Sequence, residues 1–264
     1  MRPGLSRTFL LQVKNKPNSA LISMKEKIEK EFERLCRLEK RKGIIGFASL
    51  DKVKLLSVQK SYLERKLAPF ELNRPITAIS IGVFYTPEEV KSIPDCWVAK
   101  GTKSGNWNKY ARACGEINRI LNRISQALAE KFKGIREQAT VEGYTHKVKK
   151  VEEYYDMCIS HRAFAEEAGL GWRGKSGLII TPESGPALRL STIFISDEIK
   201  SAKRNFQRCG NCRLCLQVCP FLKGQKDYRQ GCLLRLKNVG LENEVCGICI
   251  RVCWEQIVNT KTEN

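Results

Sequence analysis

Eight of the twelve cysteines in this 264-residue chain fall within its last 56 residues. They read Cys209-Gly-Asn-Cys212-Arg-Leu-Cys215-Leu-Gln-Val-Cys219-Pro220, then Cys232, then Cys246-Gly-Ile-Cys249-Ile-Arg-Val-Cys253. Three cysteines at such short spacing let one segment wrap three corners of an iron–sulfur cube, while the fourth, before proline, points to a second cube. The pattern therefore assigns Cys209, Cys212, Cys215 and Cys253 to one [4Fe–4S] cluster, and Cys219, Cys232, Cys246 and Cys249 to the other. Zinc ribbons also use paired cysteines, but a tetrahedral zinc has no use for a third cysteine at the same short spacing. A disulfide scaffold suits short secreted chains, whereas this one, 42% hydrophobic, has enough apolar sequence to build a core without staples. Cys36, Cys96, Cys114 and Cys158 are scattered and read as buried small hydrophobes.

No stretch is apolar for long enough to span a membrane. Residues 1–23 carry Arg2, Arg7, Lys14 and Lys16 and no acid, but the apolar Phe9-Leu10-Leu11 is too short for a signal peptide. They are expected to form a basic extension without fixed structure. No Arg-Arg pair marks a twin-arginine signal. Reduced cysteine ligands without an export signal give a cytoplasmic expectation. The formal charge is +19; two clusters, each about −2 with its four thiolates, bring it to roughly +15. Between Lys100 and Lys150 there are twelve Lys or Arg against four acids. Such a surface attracts polyanions, among them RNA, an anionic cofactor or an acidic redox partner, although a solvated basic face has the same composition.

Ser23-Met-Lys-Glu26 is a capping box, and Ile28, Phe32, Leu35 and Leu38 recur at helical spacing, predicting a helix over 24–42. Buried strands are expected at 44–50 and 76–85, where Ile79, Ile81 and Val83 share one face. Residues 91–109 read as a loop. Ile117, Ile120, Leu121, Ile124 and Leu128 make the stripe of a helix over 113–132. A strand near 136–142, a helix over 151–168 and strands at 178–181 and 188–196 follow. The fold class is α+β, with an α/β domain at 24–200 and a smaller cysteine-rich module at 201–264.

At Ala168-Gly-Leu-Gly-Trp-Arg-Gly-Lys175, taken with the cysteine runs, the chain resembles the epoxyqueuosine reductases. The likeness extends to Tyr110-Ala-Arg-Ala with Ile117-Asn-Arg-Ile-Leu, and to Thr181-Pro-Glu183-Ser-Gly185, covering roughly residues 24–254. The cluster motifs are highly specific, the glycine loop fairly so and the rest weak. The resemblance implies a nitroreductase-like cobalamin-binding domain packed against a bacterial ferredoxin-like two-cluster module. It also implies electrons passing from a low-potential donor such as ferredoxin or flavodoxin to cobalamin, and then to an epoxide in a transfer-RNA nucleoside. Gly169, Gly171 and Gly174 would let backbone amides approach an anionic corrinoid group, with Trp172 packed beside it and Lys175 adding charge. A tight helix-to-strand turn uses glycines in the same way. Arg112 and Arg162 are candidates to clamp a phosphate, or surface ion pairs.

Several departures mark a divergent branch. The family's catalytic aspartate lies thirteen residues before the alanine of the glycine loop, a place held here by Tyr155, with Asp156 one residue later and Cys158 where the motif has proline. Tyr155, Asp156 and His161 are the candidate proton donors, each with a packing or surface role as its alternative. Cys253 precedes Trp254 rather than proline, and no counterpart of the helical-repeat region of longer members is expected. Two readings follow: a cobalamin-dependent iron–sulfur reductase acting on transfer RNA or another electrophile, or an electron-transfer protein that reduces a corrinoid protein or other partner.

Overall fold

The computed structural model describes residues 22–70, 74–93, 105–139, 153, 155–200, 208–219, 221–222 and 246–262. Its elements are α1 (Met24–Leu38), β1 (Gly43–Ser49), α2 (Ser57–Lys66), β2 (Thr77–Phe84), α3 (Pro87–Lys91), α4 (Gly105–Lys131), β3 (Ile135–Glu137), α5 (His161–Glu167), β4 (Trp172–Arg173), β5 (Ile179–Ile180), β6 (Leu188–Ile195), α6 (Leu214–Val218) and α7 (Ile248–Thr262). The architecture is mixed α and β, as the sequence suggested.

The larger sheet has the order β1-β2-β6-β3, and every neighbouring pair is antiparallel. Side chains alternate across a strand, so its two faces feed two cores. Ile79, Ile81, Val83, Ile193 and Ile195 join Ile28 and Phe32 of α1 and the Ile117, Ile120, Leu121, Ile124 and Leu128 stripe of α4. Ala78 and Phe194 join Leu63 of α2, Leu67 and Phe164 of α5 in a second cluster. Phe164 and Phe194 meet edge to face with ring centroids 5.5 Å apart. Each fully buried side chain of this size contributes about 1.5–3 kcal/mol, so these two clusters hold the helices against the sheet.

The C-terminal helix is anchored in the first of these cores. Ile248 and Trp254 of α7 are buried among its residues, and Arg251 Nη1 donates to the Ile93 carbonyl. Gly247, at φ +77°, fits tightly because a Cβ there would stand 2.6 Å from the Tyr110 ring. Among the described residues, no helix is long and apolar enough to cross a membrane.

Boundaries differ from the sequence expectation where side chains have work outside the helix. The first helix stops at Leu38 rather than 42, because Lys40 turns left-handed at φ 53°. Arg41 then reaches Glu89 through two hydrogen bonds of 2.9 and 2.8 Å. The fourth helix already includes residues 105–109, which the glycines had suggested were loop. Strand β3 ends at Glu137, while residues 140–142 of the expected strand lie outside the described residues. The helix expected over 151–168 is interrupted: Ser160 takes an extended conformation before α5 begins at His161. That break buries Ile159 in the second core and lets His161 reach two polar partners. Helices α2 and α3 had no counterpart in the sequence reading.

Candidate functional site

Helix α5 ends in a Schellman motif. Gly169, at φ 71°, donates its amide to the Glu166 carbonyl at 3.1 Å, and Leu170 donates to the Ala165 carbonyl at 3.0 Å. The chain then makes a hairpin in which Trp172 pairs with Ile180 and Arg173 with Ile179. A Cβ on Gly171 would lie 2.1 Å from the Ile180 carbonyl oxygen, so only glycine permits this approach. Gly174 donates its amide to Leu178 O at 2.9 Å, and Gly177 donates to Gly174 O at 2.9 Å. Arg162 Nη1 donates to Gly177 O at 2.5 Å, tying α5 to the hairpin.

The amides of Gly169 and Gly174 are already engaged within the turn, and the space above Gly171 is filled by a strand backbone. The glycines at 169, 171 and 174 thus serve a tight helix-to-hairpin turn, the alternative that the sequence also allowed. Lys175 points to the cysteine tail instead: its Nζ donates to Gly210 O at 2.7 Å and to Cys212 O at 2.9 Å. A Cβ on Gly174 would lie 3.5 Å from Cys209 Sγ. The sequence carried no signal for this docking, because no spacing rule links residue 175 to residue 210. Trp172 is half-buried, and Arg112 is exposed on α4.

The first proposed ligand set draws on both ends of the tail, where α6 and α7 pack against each other. Burial pushes the Cys253 thiol up to about 12, and the neighbouring Cys209, Cys215 and Cys212 add to the shift. Cys215 is also raised, by burial first and then by Cys209 and Cys212. Four sulfurs separated by up to 44 positions in sequence thus share one electrostatic neighbourhood. Like charges crowded in a poorly solvated place disfavour free thiolates, and cationic iron relieves that conflict. No group of three or more His, Cys, Asp or Glu among the described residues is arranged to hold a single metal ion. A cube differs in taking one thiolate per iron. Of the second set, Cys219 is buried at the end of α6, and Cys246 and Cys249 are half-buried at the start of α7. Cys232 lies outside the described residues. Elsewhere, burial pushes the Cys36 thiol up to about 12, consistent with an inert core residue. Cys114 is buried as well, Cys158 is half-buried and Cys96 lies outside the described residues.

The three candidate proton donors occupy different surroundings. Asp156 is exposed and bridges to Arg65 at 2.8 Å, with the two side chains 61% and 60% accessible, the geometry of a surface ion pair. Tyr155 is buried. His161 is buried with both ring nitrogens engaged: Nε2 lies 2.7 Å from Gln138 O and Nδ1 2.9 Å from Thr192 Oγ1. A carbonyl only accepts, so Nε2 carries the proton and Nδ1 accepts from the threonine hydroxyl. This makes His161 a neutral connector between α5, β6 and the segment after β3. Near it is a polar group that sequence reasoning missed: Glu137, buried, accepts from Tyr62 at 2.8 Å and pairs with Lys66 at 2.9 Å. Only the strand-like run around 136 hinted that Glu137 faces inward.

Burial lowers the His161 pKa from its ordinary 6.5, against an opposing pull from Glu137 and the Gln138 carbonyl; Arg189 and Lys66 reinforce the lowering. With a folded pKa below the unfolded one, the unfolded chain binds the extra proton first. Stability is therefore full above pH 6.5 and declines as pH falls through and below that value. Urea unfolding at stepped pH should show this decline, and His161→Gln should flatten it. The stabilised carboxylates act lower, since Glu31 and the other lowered acids begin to lose their contribution only as pH falls through their ordinary 4.5 or 3.8, well below the start of the His161 decline at 6.5.

The chain matches no protein-family model. Its curated relatives include the epoxyqueuosine reductase of Synechocystis, 40% identical over 62 residues, which is 24% of this chain and 22% of that protein. The Listeria monocytogenes epoxyqueuosine reductase is 28% identical over 163 residues, 60% of this chain and 38% of its own length. Among solved structures, one of epoxyqueuosine reductase with a tRNA-Tyr epoxyqueuosine-modified stem loop is 20% identical, with 86% of this chain and 65% of that chain covered and a TM-score of 0.45. The Streptococcus thermophilus epoxyqueuosine reductase is 18% identical at the same coverage, with a TM-score of 0.46. The chain spans well under half the length of the curated relatives it matches. In sequence, its curated relatives are epoxyqueuosine reductases, and it is similar to them over part of their length.

Proposed function

We propose that this chain is an iron–sulfur oxidoreductase resembling epoxyqueuosine reductase, with Cys209, Cys212, Cys215 and Cys253 on one [4Fe–4S] cluster and Cys219, Cys232, Cys246 and Cys249 on the other. The observation that carries the reading is the packing of α7, which bears Cys253, against α6, which bears Cys215. Such clusters, when bound, pass electrons one at a time, taken here from a low-potential donor such as ferredoxin or flavodoxin. Within this reading the chain has a nitroreductase-like body and a ferredoxin-like module in the cytoplasm. Its own residues bury Cys219, dock the module through Ile248, Trp254 and Arg251, and brace the first cysteine run with Lys175.

Resemblance to the family makes cobalamin the acceptor and a transfer-RNA nucleoside or another electrophile the final substrate. In the glycine loop the amides of Gly169 and Gly174 are engaged within the turn. Those engaged amides, with Asp156 exposed and ion-paired, favour a second reading in which the chain is a relay that reduces a corrinoid protein or other partner. Adding hydroxocobalamin to the anaerobically reconstituted chain separates the two. In the first reading the corrinoid co-elutes with the protein on desalting and its absorbance bands shift; a corrinoid that elutes free removes that reading. Affinity for transfer RNA should fall steeply with rising salt as counterions are released, and a flat response removes RNA.

A further inference from the structure

Lys175 closes the glycine loop of the α/β body and ends on the cysteine tail. Its ammonium donates to Gly210 O at 2.7 Å and to Cys212 O at 2.9 Å. An ammonium has three donors and no acceptor, so two of the three are committed to the turn between Cys209 and Cys212. That turn is itself closed by the Cys212 amide donating to the Cys209 carbonyl at 2.9 Å. The residue before the lysine lies close to the same turn, since a Cβ added to Gly174 would stand 3.5 Å from Cys209 Sγ. Lys175 therefore bonds the Cys209–Cys212 turn while Gly174 lies beside its first cysteine.

We propose that Lys175 is a positioning and charge-setting residue for the cluster of Cys209, Cys212, Cys215 and Cys253: it fixes the ligand turn and raises the reduction potential of the cluster. The proposal rests on the iron–sulfur reading above. A cube with four thiolates carries about −2 when oxidised and about −3 after accepting one electron from a low-potential donor. No bond forms or breaks in that step, and the electron leaves again to the next acceptor. A cation held in place lowers the energy of the −3 form more than that of the −2 form, so it favours reduction. Two hydrogen bonds keep this cation in place, unlike a lysine swinging in solvent. Its side chain is nevertheless exposed, and water and salt screen it. The effect is accordingly a moderate one.

The test is a redox titration of the reconstituted whole chain, poised with dithionite and followed by electron paramagnetic resonance, with iron content measured on the same samples. Lys175→Gln retains amide donors for the two carbonyls and removes the charge. It should retain its iron while shifting one cluster's reduction equilibrium about three- to tenfold toward the oxidised form, where tenfold is about 59 mV for a one-electron couple. Lys175→Arg keeps charge and donors and should titrate close to the unaltered chain. Lys175→Met removes both and should in addition lose iron to a chelator several-fold faster. Potentials in Lys175→Gln that match the unaltered chain, with iron retained, overturn the charge-setting role; unchanged iron loss in Lys175→Met overturns the positioning role. An unaltered chain that holds no iron overturns the iron–sulfur reading and this proposal with it.

Discussion

Gly171→Ala destabilises the fold by about 3 kcal/mol, at or above the upper end of ordinary overpacking. The added methyl would stand 2.1 Å from the Ile180 carbonyl oxygen and 2.8 Å from its carbon. Both atoms belong to strand backbone, so relief requires parting the Trp172–Ile180 pair rather than rotating a side chain. Because Lys175 lies four residues further on, the same displacement withdraws its ammonium from Gly210 and Cys212. Thermal unfolding should register a fall of about 6 °C or more for a loss of this size. Gly115→Ala is the matched control with the opposite sign. Nothing lies within 4 Å of a Cβ at that position inside α4, and alanine is the better helix former by about 0.5–1 kcal/mol.

Cys253→Ala removes the ligand that closes the first set across the tail. The other three members, Cys209, Cys212 and Cys215, come from one short run, while Cys253 comes from α7, whose Ile248 and Trp254 sit in the main core. Its loss therefore removes the ligand that ties the run to α7 and leaves one iron without a thiolate, while Lys175 still holds the run to the hairpin. Iron and acid-labile sulfide should fall from about eight to about four atoms per chain, with the second cluster retained. Cys36→Ala should leave both values unchanged, since Cys36 is buried on the core side of α1 with Phe32 and its neighbours. Equal iron in the two variants would place Cys253 outside the ligand set.

How far the sequence foretold this molecule depends on the physics behind each element. The start of α1 was legible because Ser23 and Glu26 cap each other through strictly local bonds, and the stripe of α4 was legible because its burial repeats along one face. Helix α2 was not, since only Gln59 and Leu63 are buried in it and its N-cap Leu56 has no side-chain bond to offer. Helix α3 carried a readable signal, Thr86 with Glu89 and Pro87, in a stretch too short to show periodicity. The break before α5 follows from partners that no local pattern names: Thr192 and Gln138 are 31 and 23 positions from His161. The same holds at the site. Cysteine spacing grouped Cys253 with the Cys209–Cys215 run, whereas the engagement of Lys175 with Gly210 and Cys212 is visible only once the chain has folded.

The central claim is that the tail holds two redox-active [4Fe–4S] clusters, and the most direct measurement is low-temperature electron paramagnetic resonance of the anaerobically reconstituted chain before and after dithionite, quantified against bound metal. The expected result is about eight irons per chain and reduced-cluster signals integrating to about two spins. Stoichiometric zinc with no reducible signal would contradict it.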